Sequence, residues 1–448
     1  MVEIKTSLLD LEIEMIVGCK QQHPNALGYN MILHTDECSY NVDLLESYEI
    51  LAEYNTKIGE EIKVIFLMPM GDFIYDIYKK LDNLDMTVIT KFYDEDISEQ
   101  FKFVVTNNLR GIIGTDILKT SREQLNKQEK VRVEGQCINR VVEALRNVSV
   151  DGVYNYTTVS NVIYGSIKEA LGMITIDGTT PIVNIDMAPS PNERTYRHVQ
   201  IPTGVSSLEV PSYLQMTDYG VYNGNIGTFV QKYSPNEEPP VDTIFVYPLY
   251  DYGIFDKVER KVLLYGDSKI KYKLVESTFK QDGDVLMILT SADTKVTYDG
   301  ENEFMNEGSG IIITNPNNII QRNNLTTNDE MHTDSNANMK GIILKDRVDG
   351  SNRTTYIGNT DNAYKARSMV IRRAMMEVQL QWHYCDTRLL YPGMPIMFIY
   401  EDNDDNIIRL NGTLQSMFMK YTEATKTSSA ILNIVVIKPE IFGEDDDS

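Results

Sequence analysis

A short segment early in the chain, residues 61–68, would be apolar on both faces if it formed a β-strand. Side chains alternate along a strand, so Ile62, Val64 and Phe66 would share one face while Ile65 and Leu67 occupy the other. A strand of this kind is poorly suited to a sheet with one solvated face. The pattern therefore predicts either a central strand of a sandwich or barrel, or a strand at a subunit boundary.

The chain is too long for a single core. At 448 residues, it predicts two to four domains. Hydrophobic residues make up 42% and charged residues 24%, which is typical of folded chains rather than disordered ones. The longest apolar runs are far shorter than the roughly 20 residues that cross a bilayer. We therefore expect no membrane span, and the first residues lack the pattern of an export signal.

Charge and cysteine content narrow the function classes. The 42 Lys and Arg against 65 Asp and Glu leave a net charge of −23, which repels phosphate backbones and argues against general nucleic-acid binding. The 4 cysteines are too few and too scattered for a secreted disulfide framework, so a reducing compartment is expected.

Hydrophobic periodicity predicts strands at both ends of the chain and helices between them. The predicted strands are residues 9–17, 61–68, 101–106, 243–247, 261–265, 396–400, 410–418 and 430–437. The predicted helices are residues 131–148, 161–171 and 362–375, and a proline-containing loop is expected over 181–211. Residues 376–384 alternate strictly, with the single tryptophan, Trp382, facing the core. Residues 401–406 read as a solvated acidic hairpin loop.

Motifs for the commonest enzyme classes are missing from the sequence. It contains no phosphate-binding glycine loop, dinucleotide fingerprint, Gly-x-Ser-x-Gly elbow or His-Glu-x-x-His zinc helix. A glycosidase needs only two carboxylates without a local signature, and 65 acidic residues supply many accidental pairs. We therefore predict no catalytic residues, no cofactor and no enzymatic activity.

One cluster has the residue types of a zinc site: Cys19, His23, His34 and Cys38 lie within 20 residues. In a regular hairpin Cys19 would face Cys38 and His23 would face His34, which separates the two pairs by about 13 Å along the strands. One metal ion cannot bridge that distance. Scattered structural residues are therefore favoured over zinc, and we predict no metal site.

The C-terminal third carries a recognisable order of features. A predicted helix contains Ala363-Tyr364-Lys365-Ala366-Arg367, the alternating strand ends at Tyr384, and a turn follows within Leu390-Tyr391-Pro392-Gly393-Met394-Pro395-Ile396-Met397-Phe398 before a closing apolar strand. This order resembles the baseplate hub proteins of contractile-tail bacteriophages and the related type VI secretion spike family. Proline fixes φ and glycine supplies the turn before a new strand, which agrees with that resemblance.

The resemblance implies an α+β fold that is mainly β, with two barrel-like tube domains, a helical middle region and a β-rich insertion. The implied boundaries are 1–117 for the first tube domain, 118–240 for the helical connecting domain, 241–276 with 342–442 for the second tube domain, 277–341 for the insertion and 443–448 for an acidic tail.

The function implied by the resemblance is a structural virion protein, a baseplate hub. It would be a homotrimer whose ring joins the tail tube to the central spike, contacts other baseplate proteins and lines the DNA channel. DNA would only pass through the lumen, and the protein would be made late, assembled in the host cytoplasm and located in the virion tail. The alternatives are another tail-tube initiator, adaptor or baseplate component, a tail-associated peptidoglycan hydrolase, or a soluble carbohydrate-binding β protein.

Overall fold

The computed structural model describes Ile13, Ile16 and residues 28–54, 58–92, 95–107, 120–217, 219–222, 224–233, 241–249, 252–267, 278–291, 296–297, 310–314, 341–345, 355–356, 375–401, 406–422 and 427–437. Cys19, His23, the acidic tail 443–448 and nearly all of the predicted helix 362–375 lie outside this set. Over the described residues the fold is α+β and mainly β, which confirms the predicted fold class.

The first barrel is built from the N-terminal strands. They are β1 (Gly28–His34), β2 (Ser39–Asn41), β3 (Leu44–Glu53), β4 (Glu61–Pro69), β5 (Leu84–Phe92), β6 (Glu95–Val105) and β7 (Lys130–Asn139). Their hydrogen-bonded order is β3–β4–β7–β6–β5–β1–β2, with every pair antiparallel. Only two residues separate β2 from β3, and Val42 N donates to Met31 O there, so the ring closes across this kink.

The second barrel is built from strands β13 (Lys261–Asp267), β15 (Val285–Ser291), β20 (Met375–His383), β21 (Pro395–Glu401), β22 (Ile407–Thr422) and β23 (Thr427–Ile437). They form a closed 6-strand ring in the order β13–β15–β20–β23–β22–β21. Two short strands extend its wall, β14 (Phe279–Asp282) beside β15 and β16 (Val296–Thr297) beside β20.

The two barrels share one connectivity. Counting β2 and β3 as one kinked strand gives each barrel six strands. In each, the second strand in chain order lies between the first and the third, the third pairs with the sixth, and the sixth, fifth, fourth and first follow around the ring. One difference separates them: β1 is antiparallel to both of its neighbours, whereas β13 is parallel to both of its neighbours. The chain therefore folds the same ring order twice.

Within the part of the chain that the structure describes, one strand pairing joins the barrels. β22 of the second barrel pairs with β3 of the first, which merges both rings into one 15-stranded sheet. β4, the strand with two apolar faces, lies between β3 and β7. It is therefore a central strand, the first of the two locations that its sequence predicted. Ile62, Val64 and Phe66 are buried inside the first barrel, and Ile65 on the opposite face is also buried.

Between the barrels in sequence lies a mixed region that packs against both. Its helices and strands are α2 (Arg122–Gln128), α3 (Arg140–Arg146), β8 (Gly152–Thr157), α4 (Val159–Met173), β9 (Val183–Met187), β10 (Tyr196–Ile201), α5 (Val210–Met216), β11 (Ile226–Tyr233) and β12 (Val241–Pro248). A first helical turn, α1 (Met70–Asp72), continues irregularly to Lys80 within the first barrel. β8 pairs with β10, and β9, β12 and β11 form a separate three-stranded sheet.

The mixed region differs from the predicted helical domain 118–240. Helix α4 confirms the predicted helix 161–171, but the predicted helix 131–148 is wrong in its first half, because residues 130–139 form β7. Val131, Val133 and Cys137 are buried at strand spacing between β4 and β6. Helical structure begins only at Arg140, where the Asn139 side chain accepts from Val141 N and Val142 N and caps α3.

Two further predictions of secondary structure differ from the structure. The predicted strand 9–17 is helical at Ile13 and Ile16, whose three-residue spacing buries both side chains against Tyr265, Met287 and Ile399 outside the second barrel. The predicted loop 181–211 contains β9 and β10. β9 pairs with β12, and β10 pairs with β8.

The predicted insertion 277–341 starts too early, because its first part belongs to the second barrel. Leu286, Ile288 and Leu289 of β15 are buried, and β15 pairs with β13 along its whole length. β12, by contrast, lies in the three-stranded sheet rather than in the second barrel. The remaining described strands of this part form a small sheet of their own: β17 (Gly310–Thr314), β18 (Gly341–Lys345) and β19 (Thr355–Tyr356).

Trp382 lies fully buried in the second barrel, as the alternation predicts, and its Nε1 donates to Thr278 Oγ1 at 3.1 Å. The partner hydroxyl explains how an indole N–H is accommodated in the core. β21 and β22 form an antiparallel pair that ends at Glu401 and Ile407, while the predicted acidic loop lies largely outside the described residues. Within the described residues, no helix is both long and apolar enough to span a membrane.

Candidate functional site: the junction between the barrels

The junction between the barrels depends on a change of partner along β22. Its first half pairs with β21 as far as Thr413, and its second half, from Ser416 to Tyr421, pairs with β3. Between the two halves the register against β23 shifts by one residue, a β-bulge at Gln415. A bulge bends its strand and increases the local twist. The bend lets one strand serve both barrels.

The inward face of the junction is apolar and aromatic. Met417, Met419 and Tyr421 of β22 are buried, as are Tyr48, Ile50 and Ala52 on β3. Tyr29 of β1 lies between them, with its ring 4.5 Å from that of Tyr48 and 4.7 Å from that of Tyr421. Aromatic pairs at these distances add about 0.5–1.5 kcal/mol each beyond area burial. The junction therefore continues the core of the first barrel.

The outward face of the junction is polar. Lys420 Nζ lies 2.9 Å from Glu49 Oε1 on the neighbouring strand. Although burial opposes it, hydrogen bonds from Lys420 and Ser47 lower the pKa of Glu49. Further along the sheet, Gln379 Nε2 donates to Asn433 Oδ1 and Asn433 Nδ2 donates to Ser416 Oγ. A row of neutral amide and hydroxyl groups thus crosses three strands, β20, β23 and β22, on one surface.

Tyr54, directly after β3, fastens this junction to the mixed region. Its backbone N donates to Gln415 O in the bulge. Its hydroxyl accepts from Tyr247 N at 2.8 Å and lies within donating distance of Gly227 O (2.6 Å) and Tyr247 O (2.8 Å). The side chain is buried, so these backbone groups of β11 and β12 are satisfied through it.

The Pro-Gly turn noted in the sequence lies against the same tyrosine. Pro392 and Gly393 are the central residues of a turn closed by Met394 N donating to Tyr391 O, and Gly393 has φ of 90°. Proline followed by a positive-φ glycine is the arrangement of a type II turn. A Cβ at Gly393 would lie 2.6 Å from the Tyr54 ring, so glycine is required by both the backbone and the contact.

Residues before the turn connect it to the three-stranded sheet. The ring of Tyr391 stacks on Phe245 with centroids 3.7 Å apart and 8° between planes. Tyr233 meets the same ring edge-on at 5.2 Å, and Gln231 Nε2 donates to Leu390 O at 2.9 Å. The turn motif therefore links the second barrel, the junction and the mixed region.

One end of the first barrel holds a group of charged side chains, of which Glu99 and Asp386 are buried and the others are half-buried. Glu60 and Glu99 line a cavity of about 20 Å³ together with Lys232, Asp386 and Arg388, the last two from the connection between β20 and β21. Arg388 and Asp386 form an ion pair at 3.1 Å. Burial, with nearby Glu99 and Asp242, raises the pKa of Glu60 to about 8, while Lys232 opposes the shift. Burial also raises the pKa of Glu99 against Lys232 and Arg388.

This pair of carboxylates does not form an accessible cleft. A cavity of 20 Å³ holds about one water molecule and cannot admit a sugar ring. Asp386 and Arg388, from the connection between β20 and β21, line it beside residues of the first barrel. The arrangement is therefore suited to joining the barrels rather than to acid–base chemistry on a substrate.

The zinc candidates divide between described and undescribed residues. Cys19 and His23 lie outside the described set. His34 Nδ1 lies 2.8 Å from Ser39 Oγ, and its Nε2 lies 2.8 Å from Thr87 Oγ1, so both ring nitrogens have hydroxyl partners. Cys38 Sγ accepts from Thr35 Oγ1. In the described part of the chain, no three His, Cys, Asp or Glu side chains are placed to hold a metal ion.

Sequence reasoning found the Pro-Gly turn but missed the other parts of the junction. Tyr54 is one of 27 tyrosines, and no local pattern distinguishes it. Gln415 lies within a continuous strand pattern, where a bulge leaves no signature. Glu60 and Glu99 are 39 positions apart in sequence and meet only because the barrel closes.

Similar solved structures come from phage tails and type VI secretion. The tail protein of Neisseria meningitidis MC58 is 9% identical, with a TM-score of 0.49, over 91% of this chain and 96% of that one. The 43 kDa tail protein of prophage MuSo2 from Shewanella oneidensis is 10% identical, with a TM-score of 0.49, over 90% and 97%.

A third similar structure is an E. coli type VI secretion component described as structurally similar to the T4 bacteriophage tail proteins gp27 and gp5. It is 10% identical, with a TM-score of 0.42, over 89% of this chain and 75% of that one. No family model and no curated protein matches the chain. Two of these structures are thus described as tail proteins and the third as a component of type VI secretion.

Proposed function

We propose that this protein is a structural baseplate hub of a contractile tail, in which three copies form a ring between the tail tube and the central spike. The observation that carries the proposal is the repeated ring order of the two barrels and their fusion into one sheet through β22 and β3. Two alike barrels side by side make one third of a ring with six barrel positions. Closed point-group rings are the usual form of homo-oligomers.

The charge of the chain is compatible with a conduit for DNA. A net charge of −23 disfavours adhesion of a phosphate backbone, so DNA would pass through the lumen of the ring without being held. The partners in this proposal are two further copies, the tail tube protein, the spike protein and other baseplate proteins. In this proposal the protein acts by assembly in the virion tail rather than by catalysis.

The direct test is the mass and shape of the purified protein, alone and co-expressed with the spike protein of the same tail. Native mass spectrometry should give three times the chain mass of 51.1 kDa, and electron microscopy should show a threefold ring with six barrels around an open channel. A particle that remains a single chain in both preparations would overturn the proposal. So would cleared zones on a peptidoglycan zymogram, which would indicate a hydrolase.

A further inference from the structure

The repeated barrel suggests how one copy contacts the next, given the ring proposed above. Within the chain, the fifth strand of the second barrel, β22, pairs with the second strand of the first barrel, β2–β3. The corresponding fifth strand of the first barrel is β6, and the corresponding second strand of the second barrel is β15 with its continuation β16. The described residues of one chain contain no pairing between these two strands.

The end of β6 resembles the part of β22 that forms the junction. β5 pairs with β6 only as far as Phe103, whereas β7 pairs with it to Val105. In the same way, β21 leaves β22 at Thr413 while β23 continues beside it, and β3 takes the place of β21. Val104, just past the end of β5, is 42% exposed. On the side that β5 has left, no described strand pairs with residues 104–105, and an unpaired strand edge can accept another strand.

The receiving strand also has a counterpart. In the first barrel, β2 pairs with β1, and the following β3 has β4 on one side and β22 on the other. In the second barrel, β15 pairs with β13, and the following β16 has β20 on one side. The side of β16 away from β20 corresponds to the side of β3 that β22 occupies.

We propose that residues 104–107 of one copy pair with the edge of β16 of a second copy, repeating between chains the junction that β22 and β3 form within a chain. The contact joins two different surfaces, so it is head-to-tail and closes into a ring when the rotation permits. It also covers a strand edge that would otherwise template uncontrolled association. Internal and intermolecular junctions then alternate around the ring.

Short-arm thiol cross-linking tests this contact directly. The variant Val104→Cys with Thr297→Cys is made in a Cys19→Ser, Cys38→Ser background, because the other two cysteines are buried. A bismaleimide should yield covalent species of two and three chain lengths and no longer ones. The matched control is Val153→Cys with Thr297→Cys, because Val153 is 55% exposed on β8, outside both barrels. The control should give single chains.

The outcomes separate this inference from the proposed function. A native trimer whose test pair cross-links no better than the control would overturn the strand contact and leave the hub proposal standing. Chains that stay single in solution and beside the spike would overturn both. Cross-linked ladders beyond three chains would show an open, non-closing contact and would also overturn the inference.

A second variant tests the same edge by blocking it. Lysine on an edge strand prevents strand addition, so Val104→Lys should convert trimers to monomers. Because Val104 is 42% exposed, the Val104→Lys monomer should still fold, and its far-UV circular dichroism should match that of the Val153→Lys control, which should remain trimeric. Trimers that persist in Val104→Lys would contradict the proposed contact.

Discussion

At the scale of single residues, Tyr54 and Gly393 explain why the two barrels and the mixed region meet in one arrangement. The Tyr54 hydroxyl forms hydrogen bonds with backbone groups of Gly227 and Tyr247. Its ring occupies the space that a side chain at position 393 would need. One buried tyrosine therefore couples a strand of the first barrel to a turn of the second. A polar group buried in this way stabilises the fold only while its partners remain in place.

Replacing Tyr54 with phenylalanine should lower the free energy of unfolding by about 1–3 kcal/mol, because the amide of Tyr247 would lose its buried acceptor. Urea denaturation followed by fluorescence measures the change. Tyr156→Phe is the matched control, since Tyr156 is 72% exposed and should alter stability little. Equal stabilities of the two variants would contradict the role assigned to the hydroxyl.

Replacing Gly393 with alanine should destabilise the protein for two reasons that a control can separate. Gly393 and Gly283 both have positive φ, but a Cβ meets the Tyr54 ring only at Gly393 and nothing within 4 Å at Gly283. Gly283→Ala should therefore lose about 1–2 kcal/mol from backbone strain, and Gly393→Ala should lose a further amount of about 1–3 kcal/mol from overpacking. Similar losses in thermal or urea denaturation would argue against the tight contact.

At the scale of elements, pairing with neighbouring strands fixed the secondary structure of several segments whose hydrophobic periodicity fitted more than one element. Residues 131–148 carry apolar side chains compatible with both helical and strand spacing, and pairing with β4 and β6 selects a strand up to Asn139. The bulge at Gln415 is another such feature, since it matters only where β22 passes from one barrel to the other.

Deleting Gln415 should weaken the junction and leave the second barrel folded. Removing the extra residue restores a regular register between β22 and β23 but straightens the strand and removes the carbonyl that accepts from Tyr54 N. Hydrogen–deuterium exchange should therefore accelerate in residues 48–53 far more than in residues 375–383.

Gln415→Ala is the control for that deletion, because it keeps the chain length and the backbone carbonyl. Its exchange pattern should match that of the unmodified protein. If both variants accelerated exchange equally in the two segments, the bulge would have no special role at the junction.

At the scale of the whole molecule, charged groups from three parts of the chain line one cavity at the end of the first barrel. Glu60 and Glu99 come from the first barrel, Lys232 from the three-stranded sheet, and Asp386 and Arg388 from the second barrel. Folding brings more acids than bases into this small cavity. The protonation of these carboxylates is therefore linked to the global free energy of unfolding.

Stability should fall as pH rises from about 5 to 8. The pKa of Glu60 is about 8 in the folded protein, whereas an unfolded glutamate has a pKa of about 4.3. Between these values the folded state keeps a proton that the unfolded state releases, so the free energy of unfolding declines by at most about 1.4 kcal/mol per pH unit from this group. Below the lower value the contribution is constant.

Glu60→Gln should flatten this decline and make the protein more stable than the unmodified chain near pH 8. Urea denaturation at several pH values measures both effects. Glu193→Gln, at an exposed position, should keep the original pH dependence. A Glu60→Gln variant with an unchanged slope would contradict the raised pKa of this carboxylate.

The sequence by itself determined the mainly β class, the strands whose apolar alternation is strong, the buried Trp382 and the Pro-Gly turn, because these depend on side-chain spacing along a few residues. Only the tertiary structure decided that the ring order occurs twice, that β22 bends to join both barrels, and that Tyr54 and Glu60 meet partners far away in sequence. Strand order and long-range contacts depend on which edges meet during folding, and no short stretch of residues encodes that choice locally.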